Sequence, residues 1–584
     1  MKYPKLRELE SSRQMVDTFR GYNHNLRISD GEFFDMKNMT SDYYPVLSPR
    51  KQRGKSDKNT EYAVTGLIAK DSLCYTAGEN VYMDHFKTEL EVTKGPKQLI
   101  SMGAYVVIMP DRKYFNTEKV DDFGSIDERY EGKNASITYS LCDIDGDSYS
   151  NVSSEKPTGT DIPDQSYWLD TSTTPNTLKQ YSASSAMWVT IATTYVKIKI
   201  DGSNLGEKFN KFDGVKISGV SVPSLKDLNS NMIVWGVGED YIVVVGIIDG
   251  EIHQLTNRDN PIVIERKMPD VDFLVESGNR LWGCKYGLVN GEVVNEIYAS
   301  KLGDFKNWNC FMGLSTDSYA ASCGTDGQFT GAITHLGYPL FFKENCVHKV
   351  FGNYPANYQI QTTDCRGVQK GSSKSLAIVN EVLYYKSRNG ICAYDGSLPT
   401  EVSYALGNEA YSEAVGGAHG NKYYVSMKDA NEKWNVFVYD TSKGLWHRED
   451  DIQVDQFCSC RGELYAINNG DIITMLGSET KDTALVKWMA QTGEIGLYTP
   501  DMKYIARLTI RMSMEVGAEV SIYAQYDFSD DWEHLCSLTS ASIRSFSIPI
   551  RPKRCDNMKL RFEGEGDVKI YSITKTIEQG SELS

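Results

Sequence analysis

GGAHGNKYYVSMKDANEKWNVFVYDTSKGLWHRED, from Gly416 to Asp450, is the stretch that decides the fold. It reads as an apolar strand, a Gly-Asn turn, a second strand rich in Tyr, and then further turns made of Asp, Asn, Ser and Gly. Tyr and Val suit half-buried pleats, while Gly, Asn and Asp supply the backbone angles of tight turns. The same unit recurs as GLIAKDSLCYTAGENVYMDH from Gly66, LISMGAYVVIMPDRKYFN from Leu99 and VESGNRLWGCKYG from Val275. It recurs again as ITHLGYPLFFKENCVHKVFG from Ile333, IVNEVLYYKSRNGICAYDG from Ile378 and FCSCRGELYAINNGDIITML from Phe457. Taking one aromatic per unit as the marker of an inner strand, Phe341, Tyr384, Tyr424 and Tyr465 stand 43, 40 and 41 residues apart. A period of about 40 to 50 residues is that of one four-stranded propeller blade. YDTSKGLW also resembles the end of a kelch-type blade, which predicts that Tyr439 and Trp446 pack between neighbouring blades.

Seven units predict an all-β protein built on a β-propeller of six to eight blades. The period breaks between about Glu131 and Asn229, which predicts an inserted β domain over 131–229 between blades in 61–130 and blades in 230–480. From Lys481 a strict alternation takes over, with Arg507, Thr509 and Arg511 set against Leu508, Ile510 and Met512. That pattern predicts strands with one wet face and a β-sandwich-like domain over 481–584. Residues 1–60 mix short apolar steps with turn formers and read as an extended lead segment. Its basic end, Arg50 to Lys55, reads as a solvated loop, with a phosphate contact as the alternative.

The chain has 584 residues and a net charge of −16, with 36 Tyr and 48 Gly. Such an acidic balance argues against a general nucleic-acid-binding surface, because neutralising phosphates requires clustered Lys and Arg. The first residues lack the apolar core of a leader, and no run of about 18 apolar residues occurs, so cytosolic synthesis and no membrane span are expected. Twelve Cys without a CxxC spacing read as reduced core thiols.

Candidate chemistry is sparse. Asp143, Asp145 and Asp147 in DIDGDS invite a calcium reading, but Gly146 and Ser154 fall where an EF-hand loop needs other residues, so a hairpin turn is expected. The chain lacks HExxH, GxSxG, a phosphate-binding Gly loop and GxGxxG after a strand. A glycosidase needs only two carboxylates a few ångströms apart, which sequence leaves open. SKLGDFKNW, Ser300 to Trp308, is a distant echo of the Asp box of sialidase propellers with Gly303 and Asp304 transposed. The expectation is a chain with no catalytic residue, no metal, no cofactor and no enzymatic activity. Tyr43 with Tyr44, and Tyr384 with Tyr385, are candidate sugar-stacking platforms, with core and interface packing as the alternative.

Three patches resemble the tail nozzle, or packaged-DNA stabilisation, proteins of short-tailed bacteriophages. The first contains Phe19, Gly21, Asn38, Met39, Tyr44, Pro45 and Arg50 in an F-x-G…DMxNM…YPxLxxR arrangement. The second, Gly278 to Phe311, contains Arg280, Trp282, Tyr298, Ser300, Asp304, Phe305 and Trp308. The third runs from Asp317 to Gly352. The resemblance implies a structural virion protein of the tail, assembled in the host cytoplasm as a homo-oligomeric ring, commonly a hexamer. Such a ring would sit below portal and adaptor, contact tail fibre or spike proteins, and let genomic DNA pass through its lumen without sequence-specific binding. The rival expectation is a carbohydrate- or receptor-binding β-propeller.

Overall fold

A computed structural model describes residues 11–159, 161–247, 253–256, 260–478, 484–498, 502–527, 529–539 and 542–579. Its described elements are fifty-three β-strands, one four-residue α-helix and four short 3-10 turns. The chain is nearly all-β, as the alternation and turn chemistry predict. Seven four-stranded antiparallel sheets follow the repeat and form the blades of a β-propeller. In chain order they occupy 64–91, 98–125, 273–322, 331–364, 377–401, 412–448 and 456–474. The last has three strands of its own and takes its fourth from Gly54–Lys55, which pairs antiparallel to Asp471–Thr474. That pairing places the end of the lead segment inside a blade.

The aromatic markers lie on the second strand in chain order of their blades, as with Tyr384 in Val382–Lys386 and Tyr424 in Lys422–Lys428. Phe341, Tyr384, Tyr424 and Tyr465 are all buried. Cores form where successive blades meet, for example Tyr424, Val436 and Val438 against Phe457, Leu464 and Ala466. Tyr439 lies 4.9 Å from Trp446 and 5.9 Å from Tyr384 of the preceding blade. Trp446 Nε1 donates to Val402 O, so both residues pack between blades as YDTSKGLW implies.

The chain divides into two compact units, one of residues 1–99, 327–349 and 362–584, the other of 100–326 and 350–361. In the second, two sheets cover 128–266 and share a core of Ile137, Tyr139, Val196, Ile198, Val215 and Ile264. This insertion runs past the expected end at residue 229. Its strand Ile262–Arg266 returns to pair with both Glu128–Gly132 and Gly214–Ser218. A further small sheet, from Val152 to Thr190, is inserted within it.

In the first unit a four-stranded and a six-stranded sheet form the C-terminal sandwich. Leu508, Ile510 and Met512 face Val520, Ile522 and Phe562 across one buried core. The lead segment is not a separate extended arm. Ser11–Val16 forms an edge of the first sheet against Val568–Gln579, and Glu32–Lys37 pairs with Lys487–Thr492 of the second. Short strands separated by turn residues gave no sign of a partner hundreds of residues away.

Candidate functional site

The residues singled out in the lead segment are brought together at one seam of the first unit. Asn38 takes a left-handed backbone, with φ 58°. Its amide donates to Lys487 O at 2.7 Å and accepts from Arg50 Nε at 3.0 Å. Arg50 reaches Asp450 at 3.1 Å, and Arg53 lies 2.8 Å from both Glu449 and Asp450. All four charged side chains are at least 88% buried, with exposures of 6 to 12%. Burial raises the Glu449 carboxyl above its usual range against the pull of Arg53 and Arg50. Phe19 and Met39 enter the core, and Gly21 has φ 80°, where a Cβ would run into the Trp446 carbonyl. Arg50 and Arg53 of the basic end therefore form an internal ion-pair cluster, not the solvated loop expected, while Lys51 and Lys55 are exposed.

Above this cluster lies a cavity of about 410 Å³ lined by Thr40, Asp42, Arg50, Lys51, His419, Asn421, Lys422, Asp440 and Lys443, among others. Lys422 Nζ donates to Asp42 Oδ1 at 2.5 Å and to Thr40 Oγ1 at 3.1 Å. Burial works to raise the Asp42 carboxyl, but Lys422 holds it below the usual carboxylate range. Asp440 accepts from Ser41 at 2.6 Å and from Lys443 at 2.8 Å. Those donors overcome burial and lower its carboxyl to about 2. His447, wholly buried nearby, is pushed down to about 3 by burial and stays neutral. A second cavity of about 210 Å³ shares Arg50 and Lys51 with the first and adds Tyr43, Gln52 and Glu515.

Tyr43, in the wall of the second cavity, and its neighbour Tyr44 have exposures of 43% and 39%. Lys569 Nζ sits 4.5 Å from the ring centre of Tyr43 and Lys443 Nζ sits 6.0 Å from that of Tyr44. Tyr384 and Tyr385 are 6% and 0% exposed, so that pair packs in the core. The sequence named Tyr43, Tyr44 and Arg50. Asp42, Asn421 and Lys422 carried no motif, Asp440 was noted only within YDTSKGLW, and the four are visible as a group only once the lead segment is laid on the blade of 412–448.

The second patch is used differently. Arg280, 1% exposed, donates to Ser300 O at 2.7 Å and Ser315 O at 2.9 Å, and also to Asp317 O. Trp282 Nε1 donates to Ser277 O and Trp308 Nε1 to Phe305 O. Asn307 bonds Asp304 at 2.6 Å and Asp213 of the insertion at 2.8 Å, while Asp213 also holds Arg266. Ser300 Oγ accepts from the Leu281 amide, and Tyr298 and Phe305 pack on the core beneath. Asp304 is thus a loop brace. In DIDGDS, Asp143 Oδ1 accepts the amides of Asp145 and Asp147, as a hairpin turn would, and no cluster of three metal-ligating side chains occurs among the described residues. All twelve Cys are free thiols.

No family model and no curated protein matches the chain. Among solved structures it is similar to an exo-β-1,3-galactanase of Phanerochaete chrysosporium, at 8% identity over 52% of this chain and 95% of that one, with TM-score 0.22. It is also similar to a phage phi92 endosialidase, at 10% identity over 77% of this chain and 69% of that one, with TM-score 0.24. A further glycoside hydrolase matches at 9% identity over 51% of this chain and 96% of that one, with TM-score 0.20. These neighbours correct the expectation of a chain without enzymatic activity, and that exclusion is withdrawn. They identify no residue of this chain as catalytic. Among the described residues no helix is long and apolar enough to cross a membrane.

Proposed function

We propose that the chain is a saccharide-binding β-propeller whose site is the cavity over Asp42, Asn421, Lys422 and Asp440. The observation that carries this reading is the exposed pair Tyr43 and Tyr44: Tyr43 lines the smaller cavity, which shares Arg50 and Lys51 with this one, and the Tyr44 ring lies 6.0 Å from Lys443 Nζ of this cavity's wall. An exposed aromatic face complements the apolar face of a pyranose, and its hydroxyls need the mixed donors and acceptors that Asp, Asn and Lys provide. A glycan array with the full chain tests it. Saturable retention of a glycan, lost in Tyr43→Ala, Tyr44→Ala and Lys422→Ala, is expected. Failure to retain any glycan, or binding that survives all three changes, overturns it.

A second reading, the tail nozzle ring with portal, adaptor and fibre neighbours and DNA in its lumen, is favoured by the use made of the motif residues. Asn38 and Arg50 fix the lead segment to residues about 400 positions or more away, while Arg280, Asp304 and Trp308 brace the loop of their own blade, as a rigid structural component requires. Negative-stain microscopy tests it: rings are expected, and a protein that stays monomeric beside purified portal and adaptor sinks it.

A further inference from the structure

One buried amine of the first unit pairs with no carboxylate among the described residues. Lys386 ends the strand Val382–Lys386 and is 3% exposed. Its Nζ donates to Gln369 Oε1 at 2.9 Å and to Ser387 O, two neutral acceptors. Burying an ammonium without a counter-ion is costly, and the group relieves that cost by releasing its proton. Burial lowers the Lys386 ammonium from 10.5 to about 8, against Cys392 and Glu401, which work to raise it. The neighbouring thiol of Cys392, which donates to Ser387 Oγ at 3.4 Å, is pushed up by burial and stays protonated. Of these two nucleophiles only the amine is brought towards its reactive form.

Lys386 lies in the wall of a cavity of about 200 Å³ whose lining also includes Arg388, Glu401, Ser403, Asn408, Glu409 and Tyr411. This cavity shares no residue with the one over Asp42 and Lys422. The turn after Lys386 closes one side: Ser387 N and Oγ both donate to Gly390 O, and a Cβ at Gly390 would run into Ser403 Oγ. Ser403 Oγ donates to Glu401 Oε1 at 3.2 Å and accepts from the Ile391 amide at 3.0 Å, while Arg366 holds Glu401 at 2.8 Å. Two carboxylates in the wall, set against the one exposed guanidinium of Arg388, disfavour an anion as occupant. A neutral molecule with an electrophilic carbon suits an uncharged amine. The Glu401 carboxylate and the Tyr411 hydroxyl, which burial keeps protonated, give the same wall a proton acceptor and a proton donor.

We propose that Lys386 is a nucleophilic amine that captures a small aldehyde or ketone in this cavity as a Schiff base. The Nζ lone pair attacks the carbonyl carbon while the C=O π pair moves to oxygen, and a proton passes from nitrogen to that oxygen. Loss of the hydroxyl together with the remaining amine proton, as water, then leaves a C=N bond. The step consumes no oxidant or reductant and is reversible. It depends on neither the saccharide reading nor the ring reading.

Treating the full chain with glycolaldehyde and sodium cyanoborohydride at about pH 7, followed by peptide mass spectrometry, tests it, because hydride from the reagent traps the imine as a stable secondary amine. At that pH the neutral fraction of an amine at about 8 is about 300-fold that of one at 10.5. Lys386 should be labelled about tenfold faster or more than Lys94 and Lys133, whose side chains are 76% and 73% exposed. Asn408→Trp, a change at the exposed lip of the cavity, should slow labelling of Lys386 and leave Lys94 and Lys133 unaffected. Labelling of Lys386 no faster than that of the two exposed lysines overturns the proposal. Fast labelling that Asn408→Trp leaves unchanged overturns it as well, since the amine would then be reached by local opening and not through the cavity.

Discussion

The seam beneath the cavity and the brace around Asn307 solve one problem with different exposures. Each fixes a long segment to a blade through a buried Asn and paired charges: Asn38 with Arg50, Arg53, Glu449 and Asp450 in the first unit, Asn307 with Asp213 and Arg266 in the second. Above the two buried carboxylates and two arginines of the seam lies the cavity of about 410 Å³. The second network is closed, with the Asn307 amide spanning Asp304 and Asp213 and its oxygen accepting from Gly214 N at 2.9 Å. A brace becomes a candidate site only where its charged groups also face open space.

Breaking the closed network should cost most. Asp213 and Arg266 are each 5% exposed, so Asp213→Ala strands a buried guanidinium, for a loss of about 3 to 5 kcal/mol. Hydrogen exchange on Gly214–Ser218 and Ile262–Arg266 checks this. Both strands should lose protection, while the blades of the first unit keep theirs. An unchanged insertion would show that Asp213 does not anchor it.

The open network should respond less, because Arg50 remains to pair with Glu449 and Asp450 when Arg53 is removed. Arg53→Ala should cost about 2 kcal/mol, the scale of a lost hydrogen bond to a charged group. The loss should appear as faster exchange where Gly54 pairs with Thr474 at the last blade. Equal losses in the two networks would erase the distinction between them.

That distinction could not be read from sequence, although much of the fold could. The repeat of Tyr-rich strands and Gly or Asn turns is local information, and it predicts the blades and the wet-faced strands from Lys503 to Met514. The marker aromatics fall on the second strand in chain order of each blade, a position that the period alone does not specify. The role of residues 11–55 was hidden because pairing Ser11 with Glu578, or Gly54 with Thr474, leaves no local pattern. Arg50 and Arg53 looked like a solvated run for the same reason: their partners lie about 400 positions away. Tyr43 and Tyr44 share with Tyr384 and Tyr385 only the Tyr-Tyr dipeptide: Asp42 and Pro45 flank the exposed pair and Leu383 and Lys386 the buried one.

The smallest expected effect is a pH response to which the open seam contributes through His447. His447 lies against Gly21 and near Lys422, Lys443, Asp440 and Asp42. Burial lowers its folded pKa to about 3 from 6.5. The unfolded chain therefore binds a proton that the folded chain refuses, and stability falls as pH drops below about 6.5, with the loss complete only near 3. From pH 6.5 to 5.5 the cost should be about 1 kcal/mol, within the limit of 1.36 kcal/mol per pH unit for one proton. Glu449, raised by burial, acts with the opposite sign, since its folded form takes up a proton more readily than the unfolded one. His348, lowered to about 4 by burial, adds a slope of the same sign. Urea midpoints of the wild type and His447→Gln over this range isolate the share of His447: the variant should lose about half of the slope. A wild-type slope retained in full by the variant would assign it to another group and leave the seam without its own pH signature.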